Sequence, residues 1–563
     1  MNKLIYFYKT HRIYQILTLL LLSIIIGFLW FLLLYGRYPL YFTNVYWIYN
    51  SGGDLFQHQL GWEFFRQEPW HFPLGRIVNY GYPYGTYLTF MDSIPLFAFP
   101  FKLLSPLLTQ HFQYLGIWEL TSVIGQLFFG ALILNEFSPS FFKNILGASL
   151  LVLSPPLIFR VFYHNSLTAQ WILLAAIWFI FLEYRHRLWR GAWLVLFSVA
   201  LLVHLYFVAM LIPLWGVSLF FRYSREKKKW GLILDVCSVL GIMLLASYCL
   251  GYFSLKINDL ADFGFGYYSW NLNEFINPLS YSSILNKMPL AVPEQYEGFS
   301  YLGLGNLIIF SVAFLLYFQK DYSSRQLKFI LPLIFISVLF ILFAFSNKAF
   351  VNNFMMWEIH LPKFANNLCS AFRSSGRFIW PVFYFLVLFG LISVNRNLKY
   401  STPLLVLALV IQLIDIQPLY SAKKISGFSD YHSPIQGEFW QEASKTNEHI
   451  VILPATQDLL SFYEPIALYA QQNEMTLNWG YFSRADYKTI EKDGEQIWND
   501  LLANKIDNKT LYLLWDPKFV LAAKESLSAN MLVCKVDGYN VVLSKDNKLV
   551  QNNIDLSHYC GLP

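Results

Sequence analysis

IYQILTLLLLSIIIGFLWFLLLYG, residues 13–36, decides the fold class. Gln15, Thr18 and Ser23 are its main polar interruptions. A helix that crosses a bilayer needs about 20 apolar residues. This run reaches that length and is too long for the apolar part of a signal peptide. No small-x-small cleavage site follows it, so we read it as a retained transmembrane helix. The basic start, MNKLIYFYKTHR, places its N-terminal end in the cytoplasm.

Composition extends the reading to the whole chain. Of 563 residues, 56% are hydrophobic and 13% charged. Soluble domains carry about 25% charged residues. The net charge of +6 is spread in short basic clusters between apolar runs. That pattern suits cytoplasmic loops and excludes a nucleic-acid surface.

On the same length measure the chain holds about eleven spans. They lie near 13–36, 112–134, 142–160, 166–183, 190–204, 206–221, 231–251, 301–318, 328–346, 378–394 and 401–417. LVHLY, residues 202–206, divides the longest apolar run into two. Arg12, Lys143, Arg185, Arg187, Arg190, Arg222, Arg225, Arg396 and Lys399 then fall in short loops on the cytoplasmic side. The long connections 37–111, 252–300 and 347–377 fall on the other side. SIPLFAFPFKLLSPLL, residues 93–108, is apolar but broken by prolines, and reads as an interfacial or re-entrant piece.

After residue 417 the composition turns polar. HIVILPA (449–455), TLYLLWD (510–516), MLVCKVD (531–537) and YNVVLSK (539–545) read as strands, with Asp537-Gly538 as a hairpin turn. The fold class is therefore an α-helical polytopic membrane domain, residues 1–417, followed by an extracytoplasmic α/β domain, residues 418–563. The five cysteines show no CxxC and no zinc spacing. Cys534 and Cys560 share the second domain and can pair in an oxidising compartment.

The first long loop concentrates the candidate chemistry. Asp54 follows Ser51-Gly52-Gly53, whose glycines allow a short acidic side chain to be aimed at a substrate. With 54–66 helical, Asp54, His58 and Trp62 share one face, and Asp54 caps its start. Asp92 ends the loop as a second carboxylate or as the cap of the following helix. Glu63 and His71 are weaker candidates. On the same outer side, Arg373 and Arg377 flank Ser374-Ser375-Gly376 and suit a lipid phosphate, because a guanidinium is a bidentate donor. Snorkelling to headgroups is the alternative. His164 in a short turn and Glu297 and Tyr301 in YEGFSYLGLG complete the substrate-binding set. Asp259, Asp262 and Glu274 read as a solvated loop face.

The arrangement resembles the GT-C superfamily of polytopic glycosyltransferases. The shared features are a long first outer loop with an acidic residue soon after the first span, a Pro-containing interfacial segment, short basic inner loops and an outer C-terminal domain. GGDLFQHQLGWEFFRQEPWHFPLG, YGYPYGTYLTFMDSIPL, YLGLG and FRSSGRFIWP also resemble a bacterial membrane-protein family of unknown function placed near those enzymes. The resemblance implies a sugar donor linked to polyprenyl phosphate, an acceptor in the cell envelope, and a location in the bacterial inner membrane. It gives Asp54 the role of base or metal carboxylate, with Asp92 second. A divalent cation, Mg or Mn, is the one cofactor implied, although the loop has no Asp-Asp or Asp-x-Asp pair. The partners implied are membrane lipids and the lipid-linked donor, with no nucleic acid. A transporter or flippase of lipid-linked glycans, and a non-catalytic envelope assembly factor, are the rival classes.

Overall fold

The computed structural model describes residues 2–227, 229–255, 265–317, 324–456, 460–527, 530–551, 556, 559 and 560. The expectations for Asp259 and Asp262 fall outside them. The chain divides into two compact units. One comprises residues 1–44, 113–246 and 260–427, and the other 45–112, 247–259 and 428–563. The first long loop thus folds with the C-terminal part, residues 428–563.

Apolar helices lie within the expected spans, with 142–160 divided into Phe141–Val152 and Pro155–Arg160. Among the described residues seven helices are long and apolar enough to cross a membrane: Arg12–Tyr35, Leu115–Asn135, Asn165–Tyr184, Leu205–Glu226, Lys229–Cys249, Gln326–Phe345 and Ser375–Asn397. Phe141–Val152, Ala192–Leu201, Leu304–Tyr317 and Ser401–Asp415 are apolar but shorter. At about 1.5 Å per residue these four do not reach across a hydrocarbon core on their own. The divider LVHLY behaves as read: the helix Ala192–Leu201 ends there. His204 then caps the next helix by accepting from the Tyr206 amide at 3.1 Å.

Leu115–Asn135 lies at the centre of the helical unit, packed against Asn2–Tyr35, Phe141–Val152 and Trp171–Tyr184. Lys229–Cys249 and Gln326–Phe345 instead leave most of their apolar side chains uncovered. The basic residues expected in short loops gather on shared acidic partners. Glu136 meets Arg12 at 3.1 Å, Arg185 at 2.5 Å and Arg187 at 3.5 Å. Arg222 pairs with Glu183 and, at 2.8 Å, with Asp235.

In the second unit a five-stranded sheet runs in the order 476–477, 449–453, 510–514, 539–544 and 531–536. The first three strands are parallel and the last two join antiparallel. The Asp537-Gly538 turn forms with both residues at positive φ, 48° and 87°, as a two-residue hairpin requires. Leu453, Leu501, Tyr512, Leu514 and Val542 form the core between sheet and helices. Cys534 and Cys560 are disulfide-bonded.

Candidate functional site

In the second unit the helix Gly53–Gln67 carries the loop candidates. It starts through Gly52 and Gly53, both at positive φ (61° and 58°), where a side chain would be strained. The cap is not Asp54. Glu464 accepts from the Gly53 amide at 2.6 Å, and Asp54 sits in the first turn, half-buried. Asp54 still gains from the positive end of the helix dipole. His58 is buried, and its carbonyl accepts from the Ser93 hydroxyl at 2.7 Å. Glu63 is also buried, taking bonds from the Tyr49 hydroxyl at 2.5 Å and the Gln59 amide at 2.9 Å. Burial raises the Glu63 carboxyl, against the pull of those donors. His71 lies 3.6 Å from Glu68 and is partly exposed.

Asp92 does not cap the next helix. That helix, Pro95–Leu103, has Ile94 at its N-cap without a side-chain bond. Asp92 itself turns the chain at φ 52°. Among the described residues no three His, Cys, Asp or Glu side chains come together as a metal site. The cation expected at Asp54 therefore finds no ready donor set there, and no step below runs through one.

In the helical unit three of the predicted substrate residues converge, joined by Arg160. The Glu297 carboxylate accepts from Arg160 Nη2 at 2.7 Å and from Arg377 Nε at 2.7 Å. His164 Nε2 lies 3.6 Å from its other oxygen. Arg160 Nη2 also donates to the Glu297 carbonyl at 3.0 Å. Burial alone would raise the Glu297 carboxyl, but the Arg160 and Arg377 guanidiniums hold it well below the usual carboxylate range. The two segments meet through glycines. A Cβ on Gly376 would lie 2.8 Å from the Gly298 Cα, so only hydrogen there lets Arg377 reach Glu297.

Arg377 is thus engaged through Nε by a carboxylate of its own chain. The Arg373 guanidinium lies 5.8 Å from the Tyr268 ring centre. Tyr301 belongs to a different contact, donating to Asp415 at 2.7 Å, and Asp415 also takes the Leu304 amide at 2.9 Å. Glu274 is not a solvated loop residue: it is fully buried. Burial pushes its carboxyl well above the carboxylate range, and the Glu297 charge adds to the shift. The surroundings of these two buried carboxyls thus shift them in opposite directions.

Next to this cluster opens a cavity of about 680 Å³. Phe159, Tyr163, Tyr281 and Tyr296 give it aromatic walls, and Lys287 and Lys423 give it positive charge. The Lys423 ammonium lies 5.4 Å from the Tyr163 ring centre. Burial and the Arg160 guanidinium push Lys423 down to about 8, against the pull of Glu119. A cationic, ring-lined cavity suits an anion carried on an apolar or saccharide body. Sequence reading missed Lys423 because it lies in the segment assigned to the outer domain. It missed the tyrosines because an aromatic-rich chain hides them.

The sequence matches two family profiles. The one described as domain of unknown function DUF6311 covers residues 24–417, and the one described as DUF6311 C-terminal domain covers 439–544. Their division agrees with the composition change after residue 417. No curated protein matches the chain.

Proposed function

The chain belongs to the DUF6311 family, and we propose that it is a membrane-embedded glycosyltransferase of the GT-C type. Its donor is a sugar linked to polyprenyl phosphate, and its acceptor is a cell-envelope molecule outside the cytoplasm. It sits in the bacterial inner membrane with its N-terminus inside and its C-terminal domain outside.

One observation carries this reading: the ring-lined cavity with Lys423 and Lys287 at its wall, beside the buried Arg160–Glu297–Arg377 cluster. Lys423 and Lys287 neutralise a phosphate, and the faces of Tyr163, Tyr281 and Tyr296 pack against sugar or isoprenoid. Glu297 fixes both guanidiniums, which supply a standing positive field without rearranging during turnover. In the reaction a carboxylate takes the proton of the acceptor hydroxyl. The oxygen attacks the anomeric carbon, and the bond from that carbon to the phosphate oxygen breaks. The electron pair leaves on the carrier phosphate, with inversion at carbon. Asp54 is the candidate base, on the resemblance of its loop.

A second reading has its own support. Glu119 is fully buried within the helix Leu115–Asn135. An ionisable group inside a membrane helix is a hallmark of transport, which favours a flippase of lipid-linked glycans.

The test supplies the full chain, in nanodiscs, with polyprenyl-phosphate sugars and envelope acceptors. Release of free polyprenyl phosphate by the wild type, lost in Asp54→Asn, supports the transferase. Translocation of the carrier in proteoliposomes without release supports the flippase. Binding of the carrier with neither outcome supports the assembly factor.

A further inference from the structure

Between two candidate membrane helices the helical unit carries an apolar surface that its own fold leaves bare. The strands Lys348–Val351 and Phe354–Glu358 form a two-stranded hairpin, and a short helix, Lys363–Ser370, follows. Every residue of the second strand is exposed. Phe354 is 70% exposed and Phe364 80%, and Met356, Trp357, Ile359 and Leu368 are exposed with them. Phe364 and Leu368 are four apart and so share one face of their helix. The Phe354 and Phe364 rings, with Met356, Ile359 and Leu368, make an exposed apolar patch of the kind that marks an interaction surface.

Chain connectivity identifies what covers it. The preceding helix, Gln326–Phe345, is a candidate span whose exposed Leu339 and Leu342 continue the bare apolar surface toward the hairpin. Only Ser346 and Asn347 separate the two, which allows about 7 Å of travel. On the other side residues 371–374 lead to the candidate span Ser375–Asn397, a reach of about 14 Å. If these helices cross a bilayer, the hairpin and short helix cannot leave its boundary. Phe, Trp and Met beside Lys348, Lys363 and Glu358 are the composition of an interfacial element.

The element is also wired to the candidate site. Asn352 in the hairpin turn exchanges bonds with Asn271 at 2.9 and 3.0 Å and accepts from Asn273 at 2.6 Å. Asn271 donates to Gln295 at 3.0 Å, two residues before Glu297. Asn273 donates to the carbonyl of Pro289, a cavity wall residue, at 3.0 Å.

We propose that residues 348–370 form a lipid-facing anchor, seated at the headgroup–acyl boundary of the bilayer, that sets the depth of the cavity relative to the lipid surface. The proposal rests on the membrane reading of the proposed function. It adds which soluble-looking element enters the lipid and how it is coupled to the site. A membrane-borne ligand then meets the cavity at the level where its phosphate resides.

The test uses the full chain with Cys237, Cys249 and Cys369 replaced by alanine, reconstituted in nanodiscs of phosphatidylethanolamine and phosphatidylglycerol. A single cysteine is introduced as Phe354→Cys, Phe364→Cys or, as a control in the helix, Phe335→Cys. Each is labelled with an environment-sensitive fluorophore. All three positions are exposed, so the labels do not disturb the core. The expected result is several-fold stronger quenching of the Phe354 and Phe364 labels by shallow than by deep spin-labelled lipid. Quenching of these two labels by aqueous iodide alone, with the Phe335 label quenched by lipid, overturns the anchor and leaves the membrane reading standing. Protection from both quenchers points to a protein partner or a second copy and also overturns it. A Phe335 label that lipid does not quench overturns the membrane reading itself.

Discussion

Gly376 lies directly against the backbone of Gly298: a methyl group on Gly376 would come within 2.8 Å of the Gly298 Cα and 2.9 Å of its nitrogen. Each glycine adjoins a charged member of the cluster, Arg377 on one strand of chain and Glu297 on the other. The close approach is what brings a guanidinium at the start of one helix to a carboxylate in a distant loop. Gly376→Ala is therefore expected to cost about 1–3 kcal/mol, the range for overpacking. Gly427→Ala, with nothing within 4 Å of the added carbon, is the control and should change little. Chemical denaturation of the purified protein measures both.

Glu297 compensates two buried guanidiniums at once. Glu297→Gln removes that charge and leaves Arg160 and Arg377 facing each other. The expected loss is about 3–5 kcal/mol, as for other broken buried pairs. Arg160→Met combined with Glu297→Gln should cost less than the sum of the two, because the second change relieves the repulsion left by the first. A double-mutant cycle on the denaturation midpoint reads the difference. Additive losses would show that the contact carries no coupling.

At the start of the helix Gly53–Gln67 the capping carboxylate comes from residue 464, not from residue 54. Glu464→Ala should cost about 1 kcal/mol, the usual value of a cap. It should also speed hydrogen exchange at the Gly53 amide. Asp54→Asn should cost no more than about 0.3–1 kcal/mol, the value of a carboxylate in the first turn of a helix. A larger loss at Asp54 would make it a structural residue and remove it as a base.

The apolar helices were legible because an apolar run is written in consecutive residues, although the run 142–160 breaks into Phe141–Val152 and Pro155–Arg160. The Asp537-Gly538 hairpin was legible for a similar reason, since turn chemistry is local. The site was legible only in part. His164, Glu297 and Arg377 were found as separate polar residues at segment ends, and the structure joined them. Arg160, Glu274 and Lys423 escaped because their meaning depends on burial. Glu274 in LNEFINP has the look of a solvated loop until Gly298 and Trp270 close over it. The cap at Gly53 escaped because its partner is 411 residues away in sequence.

Glu274 gives a pH signature of definite sign. Its folded carboxyl titrates well above the ordinary range, so the folded state holds a proton that the unfolded chain releases above about 4.3. Stability then falls as pH rises from that value toward the raised folded value, by up to about 1.4 kcal/mol per pH unit. Glu274→Gln keeps the shape and removes the titration. The variant should be more stable than wild type at neutral pH, with a flatter profile through the mildly acidic range. An unchanged slope would mean that Glu274 is ionised in the fold.

On the proposed function, Lys423 should set the upper pH limit of anion binding in the cavity. Its ammonium titrates near about 8, because burial and Arg160 disfavour the charged form. A phosphate is already fully charged there, its second ionisation lying at about 6. Affinity for a short polyprenyl phosphate should therefore decline as pH rises through about 8, without any change in the ligand. Lys423→Arg stays charged throughout and should hold affinity as pH rises. Lys423→Gln should bind weakly at every pH. Binding followed by calorimetry across this series separates a cation that recognises the phosphate from one that only packs between Phe159 and Tyr163. In the second case Lys423→Gln would bind as the wild type does, and the decline near 8 would be absent.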